Sequence, residues 1–119
     1  MTTATATQSH NPVWACVCNK QFLTPDTGVC ALVNGKQIAI FYSRRLDKIF
    51  AVDNYDPIGK ANVLSRGMIG SQGERVCVAS PLYKQHFDLA TGECLEDSNH
   101  RINVYPIKLN ADNNISVCA

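Results

Sequence analysis

Six cysteines, three histidines and the closely spaced Ser80, His86 and Asp88 are the side chains of this 119-residue chain most able to do chemistry. Thiolates and imidazoles hold zinc or iron–sulfur clusters when they come in pairs at ligand spacing. Here Cys16, Cys18, Cys30, Cys77, Cys94 and Cys118 are scattered, and the one close pair, Cys16-Val17-Cys18, lies in a strand-like run where alternate residues share a face. A reducing cytosol argues against disulfides, so Cys16, Cys30 and Cys77 are expected as small core hydrophobes. Ser80, His86 and Asp88 have the residue types of a hydrolytic triad. They lack the Gly-x-Ser-x-Gly elbow that exposes such a nucleophile, and surface polar roles are expected for them, with His86 a half-exposed strand residue. Arg44-Arg45 follow an apolar run and are expected in a solvated turn.

The bulk of the chain sets bounds on function. Its length fits one domain with a self-sufficient core. It is 45% hydrophobic and 18% charged, with a formal net charge of +1, so no global field favours nucleic acid or an anionic membrane. Residues 1–12 are Thr/Ala-rich and polar, without the basic start and apolar run of a secretory signal; they are expected as a disordered tail before a domain at 13–119. The longest strongly apolar stretch, Ile38 to Tyr42, is far short of the roughly 20 residues that cross a bilayer as a helix. A cytoplasmic chain without membrane or nucleic-acid partners is expected.

The elements that must position these side chains read as strands. Short apolar runs, alternating or wholly apolar, are separated by turn residues at regular spacing, which predicts an all-β fold. The runs are Val13–Cys18, Val29–Val33, Gln37–Tyr42, Ile49–Val52, Arg75–Ala79, Phe87–Leu89, Ile102–Leu109 and Ile115–Val117. Asn34-Gly35 between two of them is a strong hairpin signal. Gly70–Gly73 reads as a turn, Pro57 to Gly67 and Ser80 to Gln85 as irregular loops, and Pro25-Asp26-Thr27 as a place for one turn of helix. No internal repeat is expected.

Two segments carry a resemblance. Asp53-Asn54-Tyr55-Asp56-Pro57-Ile58-Gly59, followed by Leu64-Ser65-Arg66-Gly67, is similar to the first cluster-binding loop of Rieske proteins. Val78-Ala79-Ser80-Pro81-Leu82-Tyr83, running into Phe87-Asp88-Leu89-Ala90-Thr91-Gly92, is similar to the second. The resemblance implies a Rieske-like antiparallel β-sandwich with a small two-loop subdomain. That family holds its [2Fe–2S] cluster with two cysteines and two histidines, and the positions that resemble those ligands are Asp56, Ile58, Ser80 and Tyr83. Ile58 has no donor atom, and Asp56 and Ser80 offer hard oxygens in place of soft sulfur. No cofactor or metal is therefore expected in this chain.

With Thr27-Gly28-Val29-Cys30-Ala31-Leu32, Val63-Leu64-Ser65-Arg66-Gly67 and Val78-Ala79-Ser80-Pro81-Leu82, the substitutions resemble the small subunits of assimilatory NAD(P)H-dependent nitrite reductases. That resemblance implies a non-catalytic chain docking on a large catalytic subunit, which carries FAD, sirohaem and an iron–sulfur cluster, uses NAD(P)H and reduces nitrite to ammonium. The expected docking material is Ile58, Leu82 and Tyr83, rimmed by Lys60, Arg66, Lys84 and His86, unless Ile58 and Tyr83 turn inward to fill the cluster's space. The rival reading is a ferredoxin-like electron carrier with an atypical cluster built from some of the six cysteines.

Overall fold

The computed structural model describes residues 11–119, and its architecture is governed by one strand that is apolar on both faces. In β3 (Lys36–Ser43), Ile38, Ala39, Ile40 and Phe41 are consecutive and all fully buried. Successive side chains of a strand point to opposite faces, so such a run requires a layer on each side. It pairs with β2 (Gly28–Val33) and β4 (Lys48–Asp53), and β10 (Val104–Tyr105) completes an antiparallel sheet of order β10-β4-β3-β2. Ile38 and Ile40 pack with Ala51, Ile115 and Val117 against a second sheet of β1 (Trp14–Asn19), β12 (Asn114–Cys118) and β11 (Ile107–Leu109), ordered β1-β12-β11. Ala39, Phe41, Phe50 and Val52 face the other way, onto Leu64, Val76, Val78, Phe87 and Leu89.

That second core joins the sandwich to the part that carries the loops. β7 (Met68–Gln72), β8 (Arg75–Ala79) and β9 (His86–Asp88) form a meander, and β5 (Tyr55–Asp56) pairs with β6 (Ala61–Asn62) in a two-residue ribbon. The all-β class expected from the pattern, and the antiparallel sandwich with a two-loop subdomain that the resemblance implies, are what is observed. Among the described residues no helix is long and apolar enough to cross a membrane.

Local chemistry explains most boundaries. Asn34 and Gly35 take φ of +52° and +78°, the two left-handed positions of a type I′ hairpin turn. The helical turn falls at Lys20–Phe22, not at 25–27, because the Asn19 side chain accepts a hydrogen bond from Gln21 N at 3.0 Å and caps it. Ile102–Leu109 is not one strand: Pro106 has no amide to donate, and the chain leaves β4 after Tyr105 to join β12 from Ile107. Gly70 is not in a turn but within β7 opposite Cys77, and the reversal lies at Gly73, with φ +65°. Residues 1–10 of the expected tail lie outside the described residues.

The close approach of the two loops depends on Gly67. A Cβ there would stand 2.4 Å from Ala79 O and 2.7 Å from Val78 Cγ2, so the backbone of the first loop rests directly on β8. We expect Gly67→Ala to lower unfolding free energy by about 2 kcal/mol, the scale of overpacking against a fixed wall. Urea denaturation followed by tryptophan fluorescence measures it.

Candidate functional site

Both loops begin with a polar residue followed by proline and close through a lysine. Asp56-Pro57-Ile58-Gly59-Lys60 and Ser80-Pro81-Leu82-Tyr83-Lys84 are the same device twice. Lys60 N donates to Asp56 O at 2.7 Å and Lys84 N to Ser80 O at 3.0 Å, with both lysines left-handed at φ +58° and +62°. The first side chain then caps its own loop. Asp56 Oδ1 accepts from Ile58 N at 2.9 Å and Gly59 N at 3.1 Å, and Ser80 Oγ accepts from Leu82 N at 3.2 Å. This is the local bonding by which Asp and Ser hold turns. It is also a short internal repeat of five residues, where none was expected.

The two caps meet. Ser80 Oγ donates to Asp56 Oδ2 at 2.5 Å, with both side chains buried. Leu82 lies over Gly59, where a Cβ would stand 2.4 Å from Leu82 Cδ1. The loops are thus clamped at their roots by a hydrogen bond and at their crests by an apolar contact.

The candidate docking residues divide. Tyr83 is 65% and Leu82 44% exposed, and Lys60, Arg66 and Lys84 are exposed around them. Ile58 is half-buried and packs against the core beneath, so inward filling holds for Ile58 and not for Tyr83. His86 is half-buried, as expected, and occupied: its Nδ1 lies 2.6 Å from Glu96 Oε2 and its N–H donates to Glu96 Oε1 at 2.7 Å. Asp88 is buried, caps Ala90 N and Thr91 N at 2.7 and 3.2 Å, and sits 3.5 Å from Arg75 Nε. Ser80, His86 and Asp88 therefore serve three separate networks; Ser80 and Asp88 are structural interior groups and not the surface residues expected.

Comparison with known proteins gives this geometry its relatives. A Rieske-like [2Fe–2S] domain model matches residues 13–118. The chain belongs to that family. The nitrite reductase (NADH) small subunit of Salmonella typhimurium is 43% identical over 96 residues, covering 81% of this chain and 89% of that protein. A solution structure of the nitrite reductase [NAD(P)H] small subunit from Erwinia carotovora superposes with a TM-score of 0.74 at 41% identity, over 87% of this chain and 79% of that one. The nitrite reductase [NAD(P)H] large subunit of Klebsiella oxytoca is 35% identical over 96 residues, which make up 10% of its length.

The side-chain donors at this tip are hard oxygens. Asp56 and Ser80 present oxygens that are already bonded to each other, Ile58 has nothing to coordinate with, and Tyr83 is exposed. These residues do not fit a [2Fe–2S] cluster, whose irons take thiolate and imidazole. The cysteines are also distributed otherwise than expected. Cys77 is buried, but Cys16 and Cys30 are exposed, and Cys94 is the second buried thiol. Burial, reinforced by the nearby Asp88 charge, pushes the Cys77 thiol up to about 11, so it stays protonated at neutral pH and is inert as a nucleophile.

Asn54 is a structural residue that the strand pattern does not reveal. It is buried; its Nδ2 donates to Gln37 Oε1 at 3.0 Å and its Oδ1 accepts from Ser65 N at 2.7 Å. It ties the 3-10 turn Leu64–Arg66, and with it Arg66, to β3. Its position in a turn-rich Asp-Asn-Tyr-Asp run was the available signal.

Two outcomes follow from these bonds. Asp56→Ala strands two loop N–H groups and the Ser80 hydroxyl and is expected to cost about 3 kcal/mol, with Ser80→Ala costing about 1.5 kcal/mol. Because the two share one bond, a double-mutant cycle read by urea denaturation is expected to show coupling of about 1 kcal/mol or more. For Glu96, burial pushes the carboxyl up, but the hydrogen bonds and charge of His86 outweigh it and hold it below its ordinary 4.5. A depressed carboxyl adds stability that is fully present above its unfolded value and lost as pH falls through the folded one. Glu96→Gln is therefore expected to flatten the loss of thermal stability below pH 4.5, measured as Tm against pH.

Proposed function

We propose that this chain is the non-catalytic small subunit of an NAD(P)H-dependent nitrite reductase, docking through its two-loop tip on the large catalytic subunit. FAD, sirohaem, the iron–sulfur cluster and NAD(P)H chemistry belong to that partner, in a cytoplasmic assembly that reduces nitrite to ammonium for nitrate assimilation. One observation carries the reading. The loops are fixed by the Asp56–Ser80 bond, with no thiol or imidazole at positions 56, 58, 80 and 83, while Tyr83 and Leu82 stand exposed above it. A rigid apolar crest with an aromatic anchor and a cationic rim has the make-up of an interface hot spot. Arg66, which makes no ion pair among the described residues, is free to take a partner carboxylate in two parallel bonds.

The likeness to small subunits over nearly their whole length supports the partner. So does a similar segment within a large subunit, since a module that works inside the catalytic chain needs surfaces matched to it. Ile58 and His86 act from behind the crest, Ile58 as core filling and His86 through Glu96.

The test is affinity for the cognate large subunit with Tyr83→Ala plus Arg66→Ala. We expect Kd to rise by about 30-fold or more, the scale of losing one hot-spot residue, with thermal stability unchanged. Undiminished binding would remove the tip from the interface.

A further inference from the structure

Away from the tip, the sandwich is left open along one seam. β4 spans Lys48–Asp53, but β10 pairs with it at Val52 and Ala51 alone. After Pro106 the chain crosses to β12, so among the described residues Lys48, Ile49 and Phe50 have no strand partner on that side. Among the described residues β11 is the outer strand of its own sheet and is likewise unpartnered on its second edge. Between these edges lies a cleft of about 560 Å³, walled by Phe50, Leu89, Val104, Tyr105, Ile107 and Leu109. Backbone direction is fixed along β4. Asp53 N donates to Asn103 O on the β10 side and Asn54 N to Gln37 O on the β3 side, and alternation then turns the Ile49 amide and carbonyl into the cleft.

An apolar trough flanked by unpaired strand edges accepts an extended chain by strand addition. Its charge selects which chain. Lys20 and Lys48 stand at the mouth with Asp47, but the Asp47 carboxylate already accepts from Tyr42 Oη at 2.6 Å and Lys20 Nζ at 3.3 Å. Lys48 makes no ion pair among the described residues and lies 5.8 Å over the Phe50 ring. The unmatched charge is positive.

We propose that this seam is a strand-acceptor groove that takes an extended segment of the catalytic partner, added antiparallel to β4 at Ile49, its alternate apolar side chains in the trough and an acidic residue at Lys48. The proposal rests on the partner reading above and adds a second contact, distinct from the tip.

The experiment is amide hydrogen exchange of the full chain by NMR, alone and with the cognate large subunit, alongside the affinity of Lys48→Glu. In the complex, Ile49, Ile107 and Leu109 amides are expected to slow at least about tenfold. Lys48→Glu is expected to raise Kd about fivefold, the scale of an exposed ion pair lost, with unchanged Tm. A complex that forms while these amides keep their free rates overturns the groove and leaves the partner reading standing. Absence of any complex with the wild-type chain overturns both. Slowing of the same amides in the chain alone as its concentration rises assigns the groove to a second copy and overturns the proposal.

Discussion

A hydrogen bond between Asp56 and Ser80 holds the two loops of this tip to each other. Two loops that contribute little core of their own must be held together across a gap, and chain entropy opposes it. Here each loop is first closed by its own leading side chain, and the two leading side chains then bond to each other in a site shielded from water. In that setting a hydrogen bond is stronger than at the surface, and an unpaired member is costly. The crest above, with Leu82 seated on Gly59, inherits its position from this joint.

The joint in turn rests on the central sheet. Because β3 and β4 are buried on both faces, the sandwich core and the loop-bearing core share the same strands. Phe41 marks the crossing: it is fully buried and lies where a side chain on Gly28 would meet it. Asn54 extends the connection to the first loop through Ser65 and Gln37. Tip and sandwich therefore share one continuous framework of packed strands and hydrogen bonds.

Much of this was legible in the residues. The Asn34-Gly35 turn, the wholly apolar Ile38–Phe41 run and the two proline-led loops all signal their structures through short-range chemistry. What escaped depends on partners distant in sequence. Cys16 and Cys30 look like Cys77 in composition, yet only tertiary packing decides that the first two face out. Ser80 and Asp88 read as surface polar residues because their satisfying groups, Asp56 and Arg75, lie across the loop pair and the meander. Pro106 did announce that Ile102–Leu109 could not be one strand. The loop repeat was visible too, as Asp-Pro and Ser-Pro each followed by a lysine three residues after the proline.

The double burial of β3 has a bearing on how the chain finds its register. In a strand with one wet face, a slip of one position drives apolar groups into water and is rejected at once. Ile38-Ala39-Ile40-Phe41 carries no such alarm, since either phase places hydrocarbon on both sides. The correct phase must be chosen by shape and by the turn, where Asn34 and Gly35 set how β2 meets β3. An insertion or deletion in that two-residue reversal would shift the phase of a strand buried on both faces, although the turn itself lies on the surface.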